Sequence, residues 1–240
     1  MKWFAAIFGA ALAAAAGAQA PSQVVARAFG TPVTAAEVEF DRGDTAHSAQ
    51  LLKRRFEREA TRRFLQANRL EASEADLAAY EKFDREFRQA DRERRARELD
   101  RLEKELAAGI ADPQRRAQAE SHRSTLQQLA KRDAERVDQA VEAASKQRVW
   151  KPWIEGYKLN KALFDRYGGT VGITKFGPDP VGARAALLRE HERNGDIKID
   201  DAALRSAFWA EVDKPPRMIA KPADIDFTYY WLKPVATVTR

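Results

Sequence analysis

The stretch DREFRQADRERRARELDRLEKE, residues 84–105, constrains the fold of this chain more than any other. Its charges alternate in sign and its large apolar residues are sparse, so it reads as a solvated, salt-bridge-laced helix face. The helix begins at Ser73, with Asp76 three residues on, and carries Leu77, Tyr80, Phe83 and Phe87 before the run and Leu99, Leu102 and Leu106 after it. Gly109 ends it. Asp112 then caps a second helix with Pro113 at its first position, expected to reach about residue 149 with Leu126, Leu129, Val137, Val141 and Ala144 on one face. Two arms of about 36 residues, each on the order of 54 Å at ~1.5 Å per residue, predict a long antiparallel helical hairpin over residues 73–149, slender and partly exposed. A break near Gln89, with the chain folding back, is the alternative.

The chain opens with MKWFAAIFGAALAAAAGAQA, in which Lys2 is a short positive region, residues 3–16 are apolar and small residues follow. This is the pattern of a secretory signal peptide over residues 1–18. Cleavage fits after Ala18 and after Ala20, and Pro21 just past the second site favours the first. The apolar run is mostly alanine and shorter than the ~20 residues of a membrane span, and no later segment is apolar enough to cross a bilayer. With no cysteine there is neither a disulfide nor a lipid-modified N-terminus. The expected location is a bacterial periplasm, with a soluble mature protein.

The 240 residues suffice for one or two domains with a real core. The formal net charge is +6, of which the leader carries only Lys2. A basic balance favours nucleic acid or anionic surfaces, but alternating signs and a secreted context argue against nucleic acid. A weak attraction to the anionic cell envelope is the remaining expectation.

Residues 24–29 read as a short strand, with a turn at Gly30, Thr31 and Pro32. Thr34 and Glu37 form a capping box, and Val33 and Val38 a hydrophobic staple, so a short helix is expected before Gly43 and Asp44 break it. The next helix runs from about Thr45 to Ala67, with Leu52, Phe56, Ala60 and Phe64 as its apolar stripe, Leu51 and Leu65 beside it, and Asn68 as a left-handed stop.

Near Trp150 the composition shifts to VWKPWIEGYKLNKALFDRYGG, where Pro152 should interrupt the helix while Trp153, Tyr157, Leu163, Phe164 and Tyr167 return the chain to a core. TVGITKF alternates as a strand. DPVGARAALLREHERNG reads as a helix with Asp179 as cap, Pro180 as first residue and Gly195 as stop; IKI is another short strand, and Asp200 or Asp201 caps a last helix with Leu204, Phe208 and Trp209 inward. Residues 169–213 thus read as a small α/β module, expected to hold a two-stranded sheet. Residues 214–240 are a Pro- and aromatic-rich tail, extended and packed on something.

Taken together, VVARAFGTPVTAAEVE, then LLKRRFEREATRRFLQANRL, then EASEADLAAYEKF resemble the N-terminal domain of SurA-like periplasmic chaperones and parvulin-type prolyl isomerases. The resemblance implies a mostly α fold: a SurA-N-like helical domain over residues 22–72, completed by a helix from later in the chain, for which residues 150–168 are the candidate. It implies binding of unfolded polypeptide in an apolar cradle. Isomerase members carry a parvulin domain between the two parts; here the charged hairpin stands in that place, and nothing resembles a parvulin site.

No motif names a reaction. His47, His122 and His191 are far apart, HERNG lacks the second histidine of a zinc protease, and there is no G-x-S-x-G elbow. YGGTVG follows a helix and enters a strand, the reverse of nucleotide loops, so a turn is its expected role. Asp224 and Asp226 beside aromatics occur by chance too readily to mark a glycan enzyme. Trp150, Trp153, Tyr157, Trp209 and Trp231 are core by default and client contacts where exposed. No cofactor and no metal is expected.

The leading expectation is a holdase that binds unfolded or partly folded envelope proteins, without catalysis, through an apolar groove of Leu52, Phe56, Phe64, Leu77, Tyr80, Trp153 and Tyr157. The rivals are a helical interaction or scaffold protein of an envelope complex, including a homodimer through the hairpin, and an enzyme related to prolyl isomerases or a hydrolase.

Overall fold

A computed structural model describes residues 23–135, 146–175 and 177–235. The leader with both cleavage positions, the helix positions Val137, Val141 and Ala144, and the last residues of the tail lie outside these.

Strand β1, Val24–Ala28, turns back through Phe29 and Gly30, at φ 51° and 82°, into β2, Thr31–Thr34. Two positive φ angles give a hairpin turn whose twist matches the strands. The turn therefore sits one residue earlier than the sequence predicts. Pro32 is taken into β2 opposite Arg27, which an edge strand tolerates because one side of it needs no donors. A left-handed phenylalanine costs about 1–2 kcal/mol. Phe29 is held there by its N–H on the Asp196 carbonyl at 2.6 Å, by the His191 ring edge-on at 4.8 Å, and by the Arg63 guanidinium 4.3 Å above its ring.

The Thr34–Glu37 box forms: the Thr34 N–H donates to Glu37 Oε2 at 2.7 Å and the Glu37 N–H to Thr34 Oγ1 at 3.4 Å. The box leads into two 3₁₀ turns, Ala36–Val38 and Phe40–Arg42, and not the expected α-helix, because Glu39 at φ 54° interrupts the helical path between them. Val33 and Val38 are both buried. Helix α1, Thr45–Ala67, starts at Asp44, which accepts the His47 N–H at 2.9 Å. At its end Asn68 stays at negative φ and donates its side-chain amide to the Phe64 carbonyl at 2.7 Å, so Arg69, at φ 52°, takes the left-handed position.

Helix α2, Glu74–Ala108, is unbroken through Gln89 and, with 35 residues, is about 52 Å long at ~1.5 Å per residue. It pairs with α3, Pro113–Glu135, through Leu102, Ala119 and Leu126. Ion pairs cross the seam where apolar residues are lacking, Arg95 to Asp133 at 2.8 Å and Arg115 to Glu105 at 2.5 Å. After a π-helical turn, Lys146–Trp150, helix α4 spans Lys151–Tyr167. The wider turn falls just before Pro152, which has no N–H for the ladder.

Strands β3, Gly172–Thr174, and β4, Gly177–Asp179, form a small antiparallel pair. Helix α5, Val181–Arg193, has Pro180 and not Asp179 at its N-cap; Asp179 belongs to β4 and accepts Arg184 Nε at 3.0 Å. Strand β5, Ile197–Ile199, and helix α6, Ala202–Val212, come next, the latter capped by Asp201, which accepts the Leu204 N–H at 2.8 Å.

Two distant stretches, residues 24–67 and 181–212, meet in one core. β5 pairs with β1, Ala26 opposite Ile199 and Ala28 opposite Ile197, giving the order β2-β1-β5. Ile197 and Ile199 are inward on one face, so burying them requires a sheet already backed by helices. α6 lies along α1, with Phe208 edge-on to Phe56 at 5.6 Å. Apart from the β3–β4 pair, residues 181–212 are therefore packed into the same core as residues 24–67, and the two strands read from the sequence at TVGITKF and IKI belong to different sheets. Leu159 and Leu163 of α4 join this core, and Tyr167 packs on Phe64 at 6.2 Å. Helices dominate and both sheets are small, a mostly α fold.

Candidate functional site

Three of the seven residues expected to line a groove are sealed in the core. Leu52 and Phe56 have no exposure and Phe64 has 6%. The apolar stripe of α1 is covered by α6 and α4, so it is a packing face, and a client could reach it only by unfolding the domain. That corrects the expectation for these three.

The other four, Leu77, Tyr80, Trp153 and Tyr157, come together at the root of the hairpin. Ser73 closes a capping box with Asp76, its hydroxyl accepting the Asp76 N–H at 3.1 Å and its own N–H donating to Asp76 Oδ2 at 2.9 Å. Lys158 of α4 donates to the same Oδ2 at 3.0 Å and to the Glu71 carbonyl at 2.9 Å, while Glu155 accepts the Ala72 N–H at 3.2 Å. Burial pushes the Asp76 carboxyl up, but the hydrogen bonds from Ser73 and the Lys158 ammonium outweigh it and hold it below its ordinary range. The start of α2 is thus pinned to α4, and their apolar faces meet.

On that junction Leu77, Phe83, Trp150 and Ile154 are buried, and Tyr80 and Tyr157 are half-buried around them. The ring of Tyr80 lies 5.5 Å from Trp150, and Trp153 lies 5.7 Å from Tyr157. Over this aromatic cradle runs the C-terminal segment. Tyr230 sits edge-on to Phe83 at 5.2 Å and to Tyr157 at 5.3 Å, Trp231 edge-on to Tyr157 at 5.4 Å, and Tyr229 stacks on Trp231 at 5.0 Å. The Tyr230 hydroxyl accepts the Trp153 indole N–H at 2.6 Å and shares a hydrogen bond of 2.9 Å with the Tyr80 hydroxyl. Burial pushes the phenols of Tyr80, Tyr157, Tyr229 and Tyr230 above their ordinary value, Tyr230 furthest because Tyr80 also bonds its neutral form. The groove expected from the sequence left out Phe83, although it shares the apolar face of Leu77 and Tyr80, and left out Tyr229 and Tyr230, which stand in the aromatic-dense DFTYYW of the tail expected to pack on something.

Two other depressions have simpler chemistry. One of about 480 Å³ lies between α2 and α3, lined by Arg92, Arg95, Leu99, Leu126 and Asp133. The other, of about 600 Å³, is lined by Arg189, Glu192, Arg193, Arg205 and Trp209. Much of its charge is matched internally: Arg205 bonds Glu192 at 2.9 Å, and Arg189 bonds Asp213 at 2.5 and 2.7 Å.

The histidines stay apart, each beside one carboxylate: His47 at 3.7 Å from Glu39, His122 at 4.0 Å from Glu98 and His191 at 2.9 Å from Asp196. Among the described residues no three His, Asp or Glu side chains gather as metal ligands, and no helix is long and apolar enough to cross a membrane. The YGGTVG glycines make a turn, Gly168 and Gly169 at φ 60° and 89°. Asp226 caps its own loop, accepting the Thr228 N–H at 2.8 Å and the Lys233 ammonium. Comparisons with protein-family models, with curated proteins and with solved structures return no match to this chain.

Proposed function

We propose that this chain is a chaperone-like holdase of a bacterial periplasm, binding unfolded or partly folded envelope proteins without catalysis. The observation that carries the reading is the aromatic cradle between α2 and α4, where Tyr80, Trp153 and Tyr157 keep part of their surface outside the main core. Aromatic faces with polar edges hold varied apolar segments without demanding one sequence. The cradle is the root of an arm about 52 Å long, by ~1.5 Å per residue over the 35 residues of α2, which gives a bound chain an extended flank to lie against. The core that Leu159 and Leu163 share with Phe56 and Phe64 supports the resemblance to SurA-like N-terminal domains, in which a later helix completes the first. Met218, Ile219 and Leu232, exposed on the C-terminal segment, add apolar surface.

The test is suppression of aggregation. An unfolded outer-membrane β-barrel protein is diluted from denaturant into increasing amounts of the mature protein while light scattering is followed. Suppression at near-stoichiometric amounts, weakened by Trp153→Ala and Tyr157→Ala variants with unchanged circular dichroism, is the expected result. No effect at large excess overturns the reading for this client class.

A second reading, a helical scaffold or homodimer joined through the hairpin, is favoured by the depression of about 480 Å³ between the arms, lined by the half-buried Leu99 beside the buried Leu126. Sedimentation equilibrium tests it: a concentration-dependent dimer that Leu99→Glu dissociates would favour it.

A further inference from the structure

The C-terminal segment is attached to the rest of the protein in an uneven way. Its beginning is held by main chain, the Ile173 N–H donating to the Met218 carbonyl at 3.0 Å and the Ala220 N–H to the Val171 carbonyl at 2.8 Å. From residue 221 to 233 this changes. Among the described residues, the main-chain bonds there stay within the segment: Asp224 to Lys221 at 2.8 Å, Ile225 to Pro222 at 3.4 Å, Leu232 to Tyr229 at 2.9 Å and Lys233 to Tyr230 at 3.1 Å. Contact with the body is through side chains, at two places: Phe227 on Phe164 at 4.9 Å, and the Tyr229–Trp231 group in the cradle. A structural strand or helix of a core loses main-chain bonds when it leaves, but residues 221–233 would lose none of these.

The segment also keeps its shape by itself. The ion pair between Asp226 and Lys233 and the Thr228 N–H on Asp226 close the loop that presents the three aromatics. A ligand already shaped for its site gives up little conformational entropy on docking, so the segment can leave and return without refolding. The exposed Lys214, Pro215 and Arg217 precede it as an open connector.

We propose that residues 221–233 are a releasable strap: an intramolecular ligand that fills the cradle between α2 and α4 and must leave before another chain can occupy it. Resting on the holdase reading, this makes the cradle self-occupied in the free protein. Client binding then competes with the strap, and weakening the strap strengthens binding. Tyr230 is its anchor, since its hydroxyl bridges both walls, Tyr80 from α2 and Trp153 from α4.

The experiment uses the strap as its own probe. A fluorescent peptide of residues 221–233 is titrated into three forms of the mature protein and its anisotropy read. The forms are the intact chain, the Tyr230→Ala/Trp231→Ala double variant, and a chain with a specific protease site in place of residues 214–217, cut after folding. Binding at least ten-fold tighter to the variant and the cut form than to the intact chain, lost on adding Trp153→Ala, supports the strap. Equal binding by all three, or none by forms that keep their helical signal, overturns it. Loss of the helical signal in both altered forms also overturns it, because the segment would then be a fixed part of the fold. Peptide exchange without suppression of aggregation by any form supports the strap and overturns the holdase reading, so the two fail separately.

Discussion

The Trp153 indole N–H and the Tyr80 hydroxyl, from two different helices, converge on the single hydroxyl of Tyr230 at 2.6 and 2.9 Å. Tyr230→Phe keeps the ring and removes that oxygen, leaving an indole donor and a phenol half-buried without this shared partner. Loss of a buried partner costs about 1–3 kcal/mol. The expected result is a lower urea midpoint with an unchanged slope, and a shift in tryptophan emission from Trp153. An unchanged midpoint would mean that water replaces the hydroxyl freely.

Alkaline pH should loosen the same region. All five tyrosines, Tyr80, Tyr157, Tyr167, Tyr229 and Tyr230, are held above their ordinary value, chiefly by burial. Tyr167, which also donates to Glu190 at 2.8 Å, is pushed up to about 12. The folded protein keeps these phenols neutral while the unfolded chain ionises at about 10. The stabilisation is therefore complete below about pH 10 and is lost as pH rises toward the folded values. Tyrosinate absorbance should rise late and together with loss of near-ultraviolet circular dichroism. Tyrosines that titrate near their ordinary value before any loss of structure would contradict this.

Phe56→Ala removes a ring with no exposure that packs edge-on to Phe208. Large-to-small changes of this kind cost about 3–5 kcal/mol, a large share of the ~5–15 kcal/mol of a typical domain. Phe56→Asp should not fold at all, so its effect on binding would report unfolding and not a lost contact. Chemical denaturation followed by circular dichroism checks both.

Gly182→Ala tests a close crossing. A Cβ at Gly182 would stand 2.5 Å from the Thr170 main-chain nitrogen, where α5 passes over the turn after α4, and the Gly182 N–H already donates to the Thr170 carbonyl at 2.9 Å. Backbone must shift to admit the methyl, at about 1–3 kcal/mol. Gly156→Ala, with open space at its Cβ, is the control and should be neutral or mildly stabilising, as helix propensity expects.

Local signals are legible in the sequence because their partners lie within a few residues. The Ser73–Asp76 box, the Gly109 stop and the Asp201 cap each act on neighbouring backbone, and each is where its residue types put it. Where a local signal misleads, a second nearby preference wins. Glu39 breaks the short helix after a complete Thr34–Glu37 box, and Asp179 leaves its cap for a strand and Arg184. The site is less legible, for a physical reason. An apolar stripe such as Leu52, Phe56 and Phe64 states that something covers it, and not what; the cover is α6, far along the chain. The same holds for Tyr80 and Tyr157, whose half of the cradle is written in the sequence while its occupant, Tyr230, is fixed only by tertiary packing.

The pairing of β1 with β5 has a consequence for how the molecule comes to exist. Ala26 and Ala28 find their sheet partners far along the chain, at Ile199 and Ile197, while the hairpin of α2 and α3 needs only neighbours. Long-range closure is entropically slow, and local helical contacts form orders of magnitude sooner. The arm should therefore assemble first and the core last. A chain stopped before residue 197 would hold a formed arm on an open, uncompleted core, so residues 24–67 stay without their cover until the last partner has been made.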